Sequence, residues 1–234
     1  PFNDPKLRKA FSMAIDREIL TSKIVGAGEV PAYAFVVPGV TAYDPVYADF
    51  KAKDQAARNA EALKLYEEAG YSKDNPIEIE LRYNTSDNHK KIAIAVQNMW
   101  KKTLGAKVNL VNEEWKVYLE TRKLKQATQA FRAGWIGDYN DPNTFLELWL
   151  SDSGLNDTGF DNPEFDSLMN QAKLEQDAEK RKNLLMQAET IFLEANAVAP
   201  IYHYVTKRMV KPYVKGWENN VMDHIRSQYI TIEQ

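Results

Sequence analysis

Residues 77–83 read Ile77-Glu78-Ile79-Glu80-Leu81-Arg82-Tyr83. Apolar and charged side chains alternate strictly, the period of a strand that buries one face. Asn84-Thr85-Ser86-Asp87 follows, four residues with turn and helix-cap chemistry. A helical pattern then runs from His89 to Leu104 and stops at Gly105, and Lys107-Val108-Asn109-Leu110-Val111 alternates again. Strands alternating with helices predict an α/β or α+β architecture, a mixed β-sheet flanked by helices.

The pattern extends in both directions. Toward the N-terminus, Asp4-Pro5 predicts a helix start, with Leu7, Phe11, Ala14 and Ile15 on one face. Asp16 caps a second helix carrying Ile19, Leu20 and Ile24, which Gly26 and Gly28 end. Residues 29–50 hold prolines and aromatics without a period and read as a long, partly buried loop, a type of segment that often carries function. Ala56 to Ala69 is an amphipathic helix stopped by Gly70. Toward the C-terminus, Glu114 to about Lys125 is helical, and Gln129 to Trp135 reads as a strand ending in a turn. Helices follow at Leu146–Leu150, Pro163–Leu174 and Ala178–Ala195. Pro200 to Val205 is a strand, which Met209-Val210 either continues or pairs as a hairpin; residues 213–234 are weakly patterned.

Composition narrows the function. The chain has 234 residues, enough for a sizeable core, and no cysteine, which removes thiol catalysis, disulfides and thiolate metal sites together. Lys and Arg number 30 against 33 Asp and Glu, so no basic excess exists to neutralise a nucleic acid backbone. His89, His203 and His224 form no H-x-H or H-x-x-x-H pair, leaving a histidine-based metal site without support. Glycine-rich phosphate loops and the G-x-S-x-G elbow are missing, and no cofactor is expected. The opening Pro1-Phe2-Asn3-Asp4-Pro5 enters a helix directly, as expected of a mature or truncated piece of a longer protein.

The unusual stretch is Arg132-Ala133-Gly134-Trp135-Ile136-Gly137-Asp138-Tyr139-Asn140-Asp141-Pro142. It spaces a cation, a large aromatic and an anion three residues apart, with glycines that permit close backbone approach. Such a set suits a zwitterion with an apolar body: Arg132 for a carboxylate, Asp138 for an ammonium, Trp135 over a side chain. An internal Arg132–Asp138 pair with Trp135 in the core accounts for the pattern equally well.

That run, with Tyr83-Asn84-Thr85-Ser86-Asp87-Asn88-His89-Lys90-Lys91, Asn112-Glu113-Glu114-Trp115-Lys116, Thr121-Arg122, Pro200-Ile201-Tyr202-His203-Tyr204-Val205 and Val210-Lys211-Pro212, resembles the oligopeptide-binding proteins of bacterial ABC importers. Phe2-Asn3-Asp4-Pro5-Lys6-Leu7-Arg8-Lys9-Ala10-Phe11 with Ala14-Ile15-Asp16-Arg17 is similar to the helix pair of the wider peptide/nickel-binding family. The resemblance covers essentially the whole chain and implies a periplasmic-binding-protein-like lobe, the C-terminal half of a two-lobed protein. It implies a ligand-binding lobe over 1–205 and, over 206–234, a segment that returns to the missing N-terminal lobe.

It also implies non-catalytic capture of short peptides in the periplasm for the membrane permease of an importer, with murein tripeptide, haem or nickel as other ligands within the family. Residue by residue, Asp138 corresponds to the carboxylate that holds the peptide α-amino group. Arg132 and His89 correspond to groups that meet the peptide C-terminus, and Arg122 to a second pocket arginine. Trp115 and Trp135 correspond to walls of side-chain pockets, Asn84 to a polar pocket residue and Tyr204 to a tyrosine beside the peptide backbone. Ile136 stands where the resemblance puts a cysteine, so the disulfide of those members cannot form. The rival classes are an enzyme using Asp138, His89 or Glu114 as acid or base, which no pattern supports, and an interaction module with exposed aromatics.

Overall fold

The chain was analysed as a computed structural model that describes residues 1–125 and 129–233. Three parallel strands lie in the order β3-β2-β4: β2 (Glu78–Asn84), β3 (Lys107–Glu113) and β4 (Ala130–Phe131). A two-residue ribbon, β1 (Val30–Pro31) against β5 (Tyr202–His203), and a second, β6 (Val214–Lys215) against β7 (Thr231–Ile232), are antiparallel. The expected α/β lobe is present, with its parallel and antiparallel pairings in separate sheets rather than in one.

The helices are α1 (Pro5–Met13), α2 (Arg17–Ile19), α3 (Gln55–Glu68), α4 (Asp87–Leu104), α5 (Trp115–Lys123), α6 (Asn143–Leu146), α7 (Pro163–Leu174) and α8 (Ala178–Ala195). Caps explain most of their starts. Asp4, Asp16, Asp54, Ser86, Glu114, Asn162 and Asp177 each accept a hydrogen bond from a backbone N–H of the first turn. Residues 20–25 depart from the sequence expectation by forming a π-helical turn. The hydroxyls of Thr21 and Ser22 donate to the Arg17 and Glu18 carbonyls, and Gly26 N–H reaches back to Thr21 C=O at 2.9 Å. Two expected strands are shorter than the pattern suggests. Residues 129–135 supply only β4, and 200–205 only β5. Met209-Val210 neither continues β5 nor pairs with it; Val214–Lys215 takes a partner near the C-terminus instead.

The chain builds two apolar cores. Ile79, Leu81 and Tyr83 of β2 face α4 and join α1 and α3 in the first, as the alternation predicts. Val36, Val40 and Tyr43 of the long loop pack with α6, α7 and α8 in the second. Two buried charged side chains stitch irregular backbone to these cores. Arg17 is fully buried; its guanidinium donates to the carbonyls of Ser12, Ile15, Ala32 and Pro200 and to the Ser12 hydroxyl. It lies 4.9 and 5.4 Å from the Tyr33 and Phe50 ring centres, and burial brings its pKa down to about 10. Glu189 of α8, also fully buried, accepts from the N–H groups of Phe35, Val36 and Val46 and from the Tyr43 hydroxyl. The loop of residues 29–50 therefore has a fixed path despite its lack of regular structure.

Candidate functional site

Parallel topology concentrates the site. The three strands point their carboxyl ends the same way, so the segments that follow them emerge together. The chain runs from β2 through α4 to β3 on one side, then through α5 back across β2 to β4 on the other. Successive connections diverge at β2, and the carboxyl ends beside such a reversal form a crevice suited to ligands. Asn84 ends β2, His89 lies in the first turn of α4, Trp115 follows β3 and Arg132 follows β4.

Arg132 is held at its backbone from both sides. Its N–H donates to the Arg82 carbonyl at 2.9 Å, and its carbonyl accepts from the Tyr118 hydroxyl. Burial pushes that phenol up to about 12, so it remains a donor at neutral pH. The Arg132 guanidinium donates to the Tyr204 hydroxyl and has no carboxylate partner among the described residues. Gly134 permits this approach, since a Cβ there would stand 3.0 Å from Nη2 of Arg132. His89 lies close enough to feel the Arg132 charge. Burial first, and that charge second, lower the imidazole pKa, with the Asn84 backbone opposing. Buried Nδ1 of His89, Oδ1 of Asn84 and Nε1 of Trp135 lack hydrogen-bond partners among the described residues.

Between Arg132 and α6 the chain crosses to the second core, against which Trp135 packs. Gly137 is needed at the crossing: a Cβ there would meet the Phe145 ring at 2.9 Å. Asp138 N–H donates to Thr144 Oγ1 at 2.9 Å, while its exposed carboxylate has no cation partner among the described residues. The internal Arg132–Asp138 pair allowed by the sequence is thus not formed, and Trp135 sits half-buried at the core's margin.

His89, Arg122, Arg132, Trp135 and Tyr204 line one large cleft of about 1720 Å³. Asn84, Trp115 and Asp138 are not part of that lining; Trp115 is half-exposed and stacks on Tyr118, the phenol that holds Arg132. Arg122 is already engaged, with Nε and Nη2 both donating to Asp157 Oδ2 at 2.9 and 2.6 Å. It therefore enters the lining as half of an ion pair, which the sequence did not disclose. His203 and His224, to which no sequence pattern gave a site role, also line the cleft. Burial lowers the His203 pKa to about 4, keeping that ring neutral. Tyr202 and Tyr204 meet edge to face at 4.9 Å, a pairing that period-2 spacing in 200–205 could have flagged. No cluster of three or more metal-binding side chains occurs among the described residues.

Comparison with known proteins agrees with this architecture. The model of the bacterial extracellular solute-binding proteins, family 5 middle region, matches residues 1–157. The chain is 43% identical to the periplasmic murein peptide-binding protein MppA of Escherichia coli over 98% of its own length and 43% of that protein's. It is 43% identical to the periplasmic oligopeptide-binding protein OppA of Salmonella typhimurium over 93% of its length and 40% of the relative's. The solved open, unliganded form of the murein tripeptide-binding protein MppA superposes with a TM-score of 0.92 at 41% identity, covering 99% of this chain and 45% of that one. The chain thus spans under half the length of these relatives. It belongs to family 5 of the bacterial extracellular solute-binding proteins.

Proposed function

We propose that this chain is one lobe of a periplasmic binding protein that captures short peptides and delivers them to the permease of an ABC importer, without catalysis. The observation that carries this reading is a pair of uncompensated charges on the stretch of chain that follows β4, Arg132 lining the cleft and Asp138 exposed outside its lining. Arg132 lacks a carboxylate and Asp138 lacks a cation among the described residues, although they stand six positions apart. A zwitterionic ligand satisfies both, and every peptide with free termini is one. Fixed charges for the termini give affinity independent of sequence, while a roomy aromatic cleft tolerates varied side chains.

In this reading Asp138 takes the α-ammonium group, and Arg132 with His89 takes the terminal carboxylate. Trp135 and Trp115 form walls of side-chain pockets, Asn84 offers its unpartnered carbonyl oxygen, and Tyr204 lies along the peptide backbone. Arg122 contributes only if Asp157 releases it or is read along with it. Residues 1–205 form the binding lobe, and 206–234 return to a second lobe that closes over the ligand by hinge motion. What supports that division is that no residue from 206 to 233 is buried; Gln234 lies outside the described residues. Murein tripeptide is a second ligand of the same class, favoured by the 43% identity to a murein peptide-binding relative.

The test is calorimetric titration of the two-lobed protein with a tripeptide and with its N-acetylated form. Asp138→Asn is expected to weaken the free peptide by about tenfold or more, the worth of a charge-assisted contact, and the acetylated one little. Equal losses for both would overturn the assignment of the ammonium site. Competition between the tripeptide and murein tripeptide then separates the two ligand readings.

A further inference from the structure

The segment that carries Asp138 is held to α6 through the Asp138 N–H on Thr144 Oγ1 and through the Tyr139 hydroxyl, which donates to Glu147 and accepts from Asn143, and it is also tied to α8 along two routes. The first is direct. Arg181, in the first turns of α8, donates through Nη1 and Nη2 to the two carboxylate oxygens of Asp141 at 2.7 and 2.9 Å. The same carboxylate accepts from the Asn143 N–H at 2.9 Å, which fixes the start of α6. The second route passes through the long loop. The Asn140 side chain accepts from the Thr41 N–H at 3.0 Å and donates to the Thr41 hydroxyl at 2.7 Å. Two residues on, the Tyr43 hydroxyl donates to Glu189 of α8 at 2.7 Å. Arg181 and Glu189 are eight positions apart, about 12 Å along a helix. One rigid helix therefore holds both ends of the network beneath Asp138.

We propose that Arg181 is a positioning residue that sets the Asp138 carboxylate at the place where the ligand's ammonium group arrives. The proposal rests on the role given to Asp138 above. Bidentate guanidinium–carboxylate geometry fixes direction as well as distance, which a single surface charge would not do. Asp141 and Asp138 are three residues apart and share one support, since the Asp141 carboxylate accepts from the Asn143 N–H and the Asp138 N–H donates to Thr144 Oγ1 of the same helix. An ion pair of this kind that is a third exposed adds little to global stability. What its geometry supplies is precision for a neighbouring charge.

The experiment compares Arg181→Gln, Arg181→Lys and Asp138→Asn in the two-lobed protein. Each is titrated with a free tripeptide and with its N-acetylated form, and the thermal midpoint is recorded. Arg181→Gln is expected to weaken the free peptide about five- to tenfold, part of the effect of removing the charge itself, and to leave the acetylated peptide within about twofold. Arg181→Lys, which keeps the charge but not the fork, is expected to restore part of the loss. The double variant with Asp138→Asn should lose no more than Asp138→Asn alone. Equal weakening of both peptides by Arg181→Gln would mark a merely structural role and overturn the proposal, as would no weakening of either. If Asp138→Asn itself fails to distinguish the two peptides, the ammonium assignment falls and takes the positioning role with it. If only Arg181→Gln fails to distinguish them, the positioning role alone falls.

Discussion

On the proposed reading, the surroundings of His89 suit it to a ligand carboxylate. Its ring is half-buried at the start of α4, Nδ1 has no partner, and both burial and Arg132 hold its pKa below the usual imidazole value. A peptide carboxylate seated between His89 and Arg132 would reverse the balance by screening the guanidinium and favouring the imidazolium. A group whose pKa is higher in the complex than in the free protein takes up a proton on binding. The gain in affinity is then full below the free-state pKa and is lost as pH rises through that of the complex. Free tripeptide should therefore bind more tightly at pH 6 than at pH 8. His89→Gln should flatten that dependence. Titrations in two buffers of different ionisation enthalpy measure the proton directly, and zero uptake at pH 6.5 would remove His89 from the carboxylate site.

Elements were legible in the sequence where local chemistry decides them. The helix ranges Pro163–Leu174 and Ala178–Ala195 agree with the pattern because Asn162 and Asp177 cap them and their apolar faces are regular. β2 was legible because alternation requires one buried face. What escaped was set by distant partners. β5 is short because it pairs with a two-residue strand more than 170 positions away, and Pro200 gives its carbonyl to Arg17 instead of to a ladder. At the site, Arg132 and Asp138 stood out by spacing, but the Arg122–Asp157 pair depends on a contact across 35 positions that no local pattern reveals.

The loop of residues 29–50 was recognised as a partly buried loop, though its anchor on α8 was not. Glu189 gathers three backbone N–H groups and a phenol, so replacing it with an apolar side chain strands all four donors in the core. Glu189→Leu should destabilise by about 3–5 kcal/mol, and Glu189→Gln, which keeps one carbonyl acceptor, by about 1–2 kcal/mol. Urea unfolding checks the order, and equal costs for the two variants would show that the hydrogen bonds are not what matters.

On the proposed reading the whole molecule offers one wall of a binding site. The cleft is broad, and the tail that borders it is unburied from 206 to 233. Tight small-molecule sites bury about 70–90% of the ligand surface, which a single wall cannot do. The isolated chain should accordingly bind a tripeptide at least about a hundredfold more weakly than the two-lobed protein, since losing about 4 kcal/mol of contacts turns micromolar affinity into millimolar. Side-by-side calorimetry decides it; equal affinities would mean that this wall recognises peptides unaided.

Arg17 has a consequence for the order in which the molecule can be made. Its guanidinium draws acceptors from residues 12 and 15, from residue 32 and from residue 200, 183 positions downstream. Arg8 likewise reaches the carbonyl of Ala195, 187 positions away. As an exported chain emerges N-terminus first, these two cations have most of their neighbours before they have all their acceptors. Until residues 195–200 emerge, the first core either stays open to keep them hydrated or closes around unsatisfied charge, and the cost of the latter favours waiting. The first core thereby closes only once residues 195–200, which follow α8, are in place to secure α1 and α2.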